Sequence, residues 1–118
     1  MFPVEERKPF GLAVYDIIRE AQAGAIGERR DTVRYSFFRP VIIQSGKARH
    51  AGFSREVSET GIGLLHSTKL PPGDVEVSIP TEKGYSIRIR TRIVWCIASG
   101  EGWYISGGEF LGISGIDA

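Results

Sequence analysis

The apolar positions of residues 9–22 recur at the spacing of a helix, and charged or amide side chains fill the opposite side. This pattern predicts an amphipathic helix that begins at Pro9 and ends before Gly24. Because so short a helix is marginal by itself, we expect it to pack on the rest of the domain or on a partner. The apolar positions are Phe10, Val14, Ile17, Ile18 and Ala21.

From residue 33 onward apolar and polar residues alternate, which is typical of β-strands. Short segments rich in glycine, proline and serine separate the alternating stretches, as tight turns require. Six short strands in so small a chain predict an all-β fold, a closed or nearly closed six-stranded antiparallel β-barrel. The predicted strands are residues 33–44, 48–57, 62–66, 75–79, 87–97 and 102–110.

The longest predicted strand has two different faces. The face that begins at Ile87 also holds Trp95, and the alternation therefore predicts a buried indole, with an exposed stacking surface as the alternative. The opposite face carries three arginines, and we expect it to point to solvent. A nucleic-acid-binding surface is the alternative, but no run of exposed aromatic residues lies between the basic ones, so nucleic acid is not the expected partner. The arginines are Arg88, Arg90 and Arg92.

The composition is that of one small domain. The chain has 118 residues, of which 42% are hydrophobic, 25% are charged and 15 are glycine. We expect residues 1–27 to form the N-terminal helix and a connector, and residues 28–118 to form the barrel. No apolar run is long enough to cross a membrane, and the N-terminus lacks the order of a secretory signal. We therefore expect a cytoplasmic protein without membrane insertion.

The side chains that carry most enzyme chemistry are few. The single cysteine, Cys96, excludes an internal disulfide and a multi-cysteine zinc site. His50 and His66 have no partners at metal-ligand spacing, so we predict no metal and no cofactor. The sequence has no nucleophile elbow, no Walker loop and no carboxylate pair suited to acid–base catalysis. These observations predict a binding protein rather than an enzyme.

Positive charge is concentrated in one quarter of the chain. The formal net charge is only +1, yet residues 29–55 hold seven basic side chains and one acidic side chain, a local net charge of +6. A surplus of this size favours an anion-binding site, and a solvated basic strand face is the alternative.

Two short motifs flank this basic segment. The first is Arg30-x-x-x-Arg34, and the second is Glu56-x-Ser58-x-x-Gly61. With the downstream runs Pro-Gly, Ile-Val-Trp and Gly-Gly-Glu-Phe, their order makes residues 28–113 resemble the PilZ domain family. That family has the signature Arg-x-x-x-Arg followed by Asp/Asn-x-Ser-x-x-Gly on a six-stranded β-barrel. The resemblance implies a receptor for the bacterial second messenger cyclic di-GMP.

The resemblance also implies which residues bind the ligand. Arginine suits the task because its planar guanidinium binds phosphate or the O6 and N7 of guanine bidentately and stacks on bases. Arg30 and Arg34, with additional charge from Arg29, would close over the ligand from a flexible leader. Ser58 would bind guanine through its hydroxyl, and Gly61 would allow close approach of the backbone.

Glu56 departs from the family pattern. Its carboxylate can accept from guanine N1–H and N2–H₂, but the extra methylene moves it by about one bond length and adds a rotor. Loss of one good bidentate contact weakens the binding free energy by about 1–3 kcal/mol, which lowers the affinity by about one to two powers of ten. Two functions stay open: a cyclic di-GMP receptor, or a PilZ-like protein-interaction domain that has lost nucleotide binding. In the absence of ligand Glu56 is expected to pair with Arg30 or Arg34, and in either case we expect a protein partner or a homodimer.

Overall fold

The computed structural model describes residues 16–21 and 34–117. Residues 16–21 are helical and are called α1 below. The other described residues contain seven strands of one antiparallel sheet. The strands are β1 (Tyr35–Ser36), β2 (Pro40–Ser45), β3 (Ala48–Val57), β4 (Gly61–His66), β5 (Gly73–Pro80), β6 (Ser86–Gly100) and β7 (Trp103–Asp117).

Six of these strands close into a barrel. Around it the order is β2, β3, β4, β7, β6 and β5, and β5 pairs again with β2. The two-residue strand β1 lies outside the barrel, against the C-terminal end of β3. The predicted all-β, six-stranded antiparallel barrel with an N-terminal helix is therefore confirmed, with one short strand added to it.

The barrel interior is filled by alternate residues of each strand, because successive side chains of a strand point to opposite faces. These inward side chains are mostly branched aliphatic, and burial of such apolar surface is the main stabilising contribution of the core. The most deeply buried are Ile43, Leu64, Val77, Ile79, Ile87, Ile89 and Ile93.

The structure divides one predicted strand and extends another. Residues 33–44 were predicted to form one strand, but the ladder is interrupted between β1 and β2, where Phe37 turns into the core. There the Ser54 hydroxyl accepts a hydrogen bond from the Arg39 backbone N–H at 3.0 Å and donates one to the Phe37 carbonyl. The last strand was predicted to end at residue 110, yet it continues to Asp117 because β6 pairs with it over its whole length.

The inner face of α1 packs on the barrel core. Ile17, Ile18 and Ala21 are buried in the same apolar cluster as the inward side chains of the strands. The expectation that the helix packs on the domain is confirmed for these residues, and the remainder of the predicted helix lies outside the described residues. No helix among residues 16–21 and 34–117 has the length and hydropathy of a membrane span.

Polar contacts hold α1 where β5 turns into β6. The Tyr85 hydroxyl donates to Asp16 at 2.7 Å, and this hydrogen bond raises the pKa of Tyr85. Glu20 forms an ion pair with Arg39, whose guanidinium also donates to the Pro80 carbonyl at 3.1 Å. Both members of the ion pair are largely buried, so α1 is fixed to the barrel by more than its apolar face.

Candidate ligand-binding site

A β-bulge in β6 reverses the faces of that strand. Ile93 pairs with Gly108 and Trp95 pairs with Gly107, so Val94 between them has no partner in β7. One extra residue in a strand exchanges its inward and outward positions beyond the bulge. Trp95 is therefore 42% exposed on the outer wall of the barrel, and the prediction of a buried indole is wrong.

Four residues on adjacent strands form a row across this outer wall. Glu56 of β3 pairs with Gly63 of β4, Gly63 pairs with Gly107 of β7, and Gly107 pairs with Trp95 of β6. Directly paired residues of antiparallel strands point to the same face. The cross-strand row therefore has a carboxylate at one end, an indole at the other and two glycines between them, over about 14 Å at a strand spacing of about 4.8 Å.

A cleft of about 230 Å³ lies over the cross-strand row. It is smaller than the pockets of about 300–1,000 Å³ that enclose a drug-sized ligand. The cleft therefore suits one planar ring system of a larger molecule rather than the whole molecule. It is lined by Arg34, Glu56, Val57, Ser58, Thr60, Gly61, Ile62, Gly63, Val94, Trp95, Gly107, Gly108 and Glu109.

Two glycines of the cleft are required by close packing. A Cβ on Gly107 would lie 2.3 Å from Nε1 of Trp95, so the indole occupies the space that a side chain would fill. A Cβ on Gly61 would lie 2.3 Å from the carbonyl oxygen of Gly108, so the close approach at Gly61 is between β4 and β7. Close approach of a ligand to Gly61 stays a prediction.

Opposite charges meet at one end of the cleft. Nη1 of Arg34 donates to Oε1 of Glu56 at 3.0 Å, and both side chains are partly exposed. This is the resting pair expected for Arg34, whereas Arg29 and Arg30 lie outside the described residues. Exposed ion pairs contribute only about 0.2–1 kcal/mol, so a ligand that offers better partners can separate these two side chains.

Ser58 holds the turn between β3 and β4. Its hydroxyl accepts hydrogen bonds from the backbone N–H groups of Thr60 and Gly61, both at 3.2 Å. Its own backbone N–H donates to the Gly61 carbonyl at 2.9 Å. These bonds use the acceptor capacity of the hydroxyl, and its oxygen also lies 3.4 Å from the Thr60 hydroxyl, so all of its hydrogen-bonding groups have partners within the turn. Ser58 therefore positions the start of β4, and its direct contact with a ligand stays a prediction.

The arginine face of β6 points to solvent, as predicted, and acidic partners balance much of its charge. Arg88 pairs with Asp117 at 2.8 Å and with Glu76 at 3.7 Å. Arg92 pairs with Asp74 at 3.6 Å. These carboxylates weaken the positive field that binding to a nucleic-acid backbone depends on.

His66 is a core residue. Its Nδ1–H donates to the Thr68 carbonyl and its Nε2 accepts from the Ser106 hydroxyl, each at 2.6 Å. Burial lowers the pKa of His66. Within residues 16–21 and 34–117 there is no group of three or more His, Cys, Asp or Glu side chains that could hold a metal ion.

Sequence reasoning assigned only Glu56 of the cross-strand row to the site and missed Gly63, Gly107 and Trp95. Gly107 and Trp95 entered the resemblance only as parts of longer runs and were not assigned to the site. The Gly107–Gly108 pair inside a strand was the available signal, because glycine in a strand interior often marks a close approach of another group. The bulge at Val94 has no comparable signal in the sequence.

The family model of the PilZ domain matches residues 28–118, which is most of the chain. No curated protein matches the chain.

Proposed function

The chain belongs to the PilZ domain family, whose members are generally receptors for the second messenger cyclic di-GMP, and we propose that it binds this dinucleotide in the cleft on its outer wall. The observation that supports the proposal is the cross-strand row, in which a carboxylate and an indole face a shared glycine surface. PilZ domains are generally non-catalytic binding domains. The proposed activity is accordingly ligand binding without catalysis, in the cytoplasm, where the messenger acts.

The cross-strand row offers the groups that one guanine needs. The carboxylate of Glu56 accepts from guanine N1–H and N2–H₂, a bidentate contact worth about 1–3 kcal/mol. The indole of Trp95 packs against the flat base, and stacking of this kind is worth about 1–3 kcal/mol per base. The indole covers Gly107, and Gly63 adds no side chain between the indole and Glu56. Either contact contributes more free energy than is lost when the exposed Arg34–Glu56 ion pair separates.

The phosphates of the ligand require cationic partners. Arg34 is already at the edge of the cleft, and Arg30 and Arg29 lie four and five positions before it in the sequence. Guanidinium groups bind phosphate oxygens bidentately, and charge assistance makes these hydrogen bonds strong. These arginines lie in the segment that joins α1 to the barrel, so a bound ligand would restrain that segment and change the surface offered to a protein partner.

Calorimetric titration of the full chain with cyclic di-GMP tests the proposal. We expect saturable binding below about 100 µM ligand, and a loss of at least about tenfold in affinity for both Trp95→Ala and Arg34→Ala. Arg90→Ala is the matched control, because it removes the same charge from an exposed site outside the cleft, and its affinity should be unchanged. A folded wild-type chain that gives no heat at about 100 µM would refute the receptor function and leave the protein-interaction domain.

A second titration separates guanine recognition from simple phosphate binding. Cyclic di-AMP carries the same phosphates but lacks the N1–H and N2–H₂ donors that Glu56 would accept. A site built around hydrogen-bond partners rejects an analogue that lacks them. We therefore expect cyclic di-AMP to bind at least about tenfold more weakly, and equal affinities would contradict the assigned role of Glu56.

A further inference from the structure

A second set of cross-strand pairs forms an apolar band beside the cleft. Phe53 pairs with Leu65, Leu65 with Ile105, and Ile105 with Ile97. These four residues are called the apolar band. Because directly paired residues share a face, their side chains lie side by side on the outer wall of β3, β4, β7 and β6. The band lies next to the cross-strand row and contains no charged side chain.

Solvent reaches this apolar band and the aromatic residues around it. Ile97 is 53% exposed, and Trp103, on the same face as Ile105, is 40% exposed. Phe38 stacks on Phe53 with ring centroids 5.0 Å apart and is itself largely exposed. Adjoining exposed apolar side chains of this kind are typical of an interaction site. A shallow groove lies beside the band at the turn between β6 and β7, and it is lined by Leu65, Ser99, Gly100, Glu101 and Trp103.

We propose that the apolar band is a homodimer interface, in which a second copy of this chain covers it about a two-fold axis. The axis runs parallel to the strands, between β4 and β7. It places Leu65 of each copy opposite Ile105 of the other, and Phe53 opposite Ile97. A two-fold interface places the same patch of both subunits in contact. A charged patch would therefore repel its copy, whereas an uncharged apolar patch can pack against itself. This inference goes beyond the proposed function and does not depend on it.

The charges at the edge of the band support a second copy as the occupant. Arg49 lies on β3, on the same face as Phe53 and next to the turn that contains Lys47. Glu101 lies at the turn between β6 and β7 and lines the groove beside the band. The two-fold axis brings the Arg49 edge of one copy to the Glu101 edge of the other. Each dimer therefore contains two contacts between opposite charges, which set the register of the pairing.

Sedimentation of the full chain without nucleotide tests the interface. Over about 1–200 µM we expect the wild-type chain to pass from monomer to dimer. Ile97→Asp should weaken the dimer at least about thirtyfold, since it buries a charge in the centre of the band. The matched control is Ile116→Asp, because Ile116 is equally exposed, at 54%, but lies outside the band. It should dimerise as the wild type does.

Exchange of the edge charges tests the two-fold arrangement. Arg49→Glu and Glu101→Arg should each weaken the homodimer at least about tenfold, because each sets like charges against one another. An equimolar mixture of the two variants restores both contacts across the interface and should dimerise as tightly as wild type. Both variants change exposed residues, and unchanged thermal unfolding would show that they fold.

Three results would overturn the proposal. The first is a wild-type chain that stays monomeric at about 200 µM, which would leave the band to a different protein. The second is an Ile116→Asp variant as impaired as Ile97→Asp. The third is a mixture of the charge variants that stays monomeric. None of these results depends on cyclic di-GMP, so the dimer and the receptor function can fail separately.

Discussion

Trp95 lies across Gly107, and the missing side chain of the glycine leaves the space that the indole fills. A Cβ at residue 107 would be 2.3 Å from Nε1 of the indole, far closer than non-bonded atoms approach. The two residues meet because the bulge at Val94 turns Trp95 to the outer wall of the barrel. The aromatic end of the cleft therefore depends on two local features on two different strands.

Gly107→Ala should displace the indole and weaken ligand binding. We expect an affinity for cyclic di-GMP at least about tenfold lower, as the base loses its stacking partner, and a loss of about 1–3 kcal/mol in unfolding free energy from overpacking. Calorimetry, urea unfolding and tryptophan emission measure these effects. Gly112→Ala on the same strand is the control, because a Cβ there meets no atom within 4 Å. Equal ligand affinity of the two variants would show that the position of the indole does not matter.

Glu56→Asp should strengthen cyclic di-GMP binding by about tenfold. The shorter side chain has one rotor fewer to order, and it can no longer reach Arg34 in the present arrangement, where the two side chains are 3.0 Å apart. The unfolding free energy should change by less than about 1 kcal/mol, because the pair is partly exposed. Calorimetry on Glu56→Asp and Glu56→Ala gives the comparison. If both variants bind equally, the carboxylate makes no contact with the base.

His66 should make the protein less stable as the pH falls. Burial lowers the pKa of His66 in the folded state, whereas the unfolded chain has a value of about 6.5. Below about pH 6.5 the unfolded state therefore binds more protons than the folded state, and unfolding is favoured by up to about 1.4 kcal/mol per pH unit until the folded-state pKa is reached. Above about pH 6.5 both states are neutral at this residue, and the effect disappears.

Urea unfolding between about pH 5 and pH 7.5 measures this effect. His66→Gln removes the titrating group, so its stability should vary less with pH than that of the wild type. His50→Gln is the control: repulsion from His50 contributes less than burial to the lowered pKa of His66, so this variant should keep most of the wild-type dependence. A pH dependence that survives in His66→Gln would assign it to other groups.

Arg39→Ala should loosen α1. The Arg39 guanidinium pairs with Glu20 and Glu82, donates to the Pro80 carbonyl and lies 4.6 Å from the centre of the Phe37 ring. Removal of one partner of a fully buried ion pair lowers the unfolding free energy by about 3–5 kcal/mol. Because this pair is partly exposed, we expect a loss of about 2 kcal/mol. Thermal unfolding and amide exchange of residues 17–21 measure the loss.

Arg90→Ala is the control for Arg39→Ala, because it removes the same charge from an exposed strand position. Faster exchange in residues 17–21 is expected for Arg39→Ala alone. If the two variants exchange alike in this segment, then the apolar face of α1 is sufficient to hold it on the barrel.

The all-β architecture and one end of the site could be predicted from local patterns. Alternation of apolar residues identified the strands, since side chains of a strand face opposite sides in turn. The resemblance to the PilZ signature identified Arg34, Glu56, Ser58 and Gly61 as one end of the site. Each strand pattern and each motif spans only a few residues, and the site assignment additionally uses the order of the motifs along the chain.

The sequence by itself determined the strands, the turns, the family and the basic and acidic groups at one end of the cleft. Only the tertiary structure decided that Trp95 stands at the other end. One cause is the extra residue at Val94, which exchanges the inward and outward positions of β6 beyond it. The other is the pairing of β4 with β7, which places Gly63 beside Gly107 although they are 44 positions apart in the sequence. A local pattern carries no information about either, because a bulge and a strand neighbour are selected by the closure of the whole barrel.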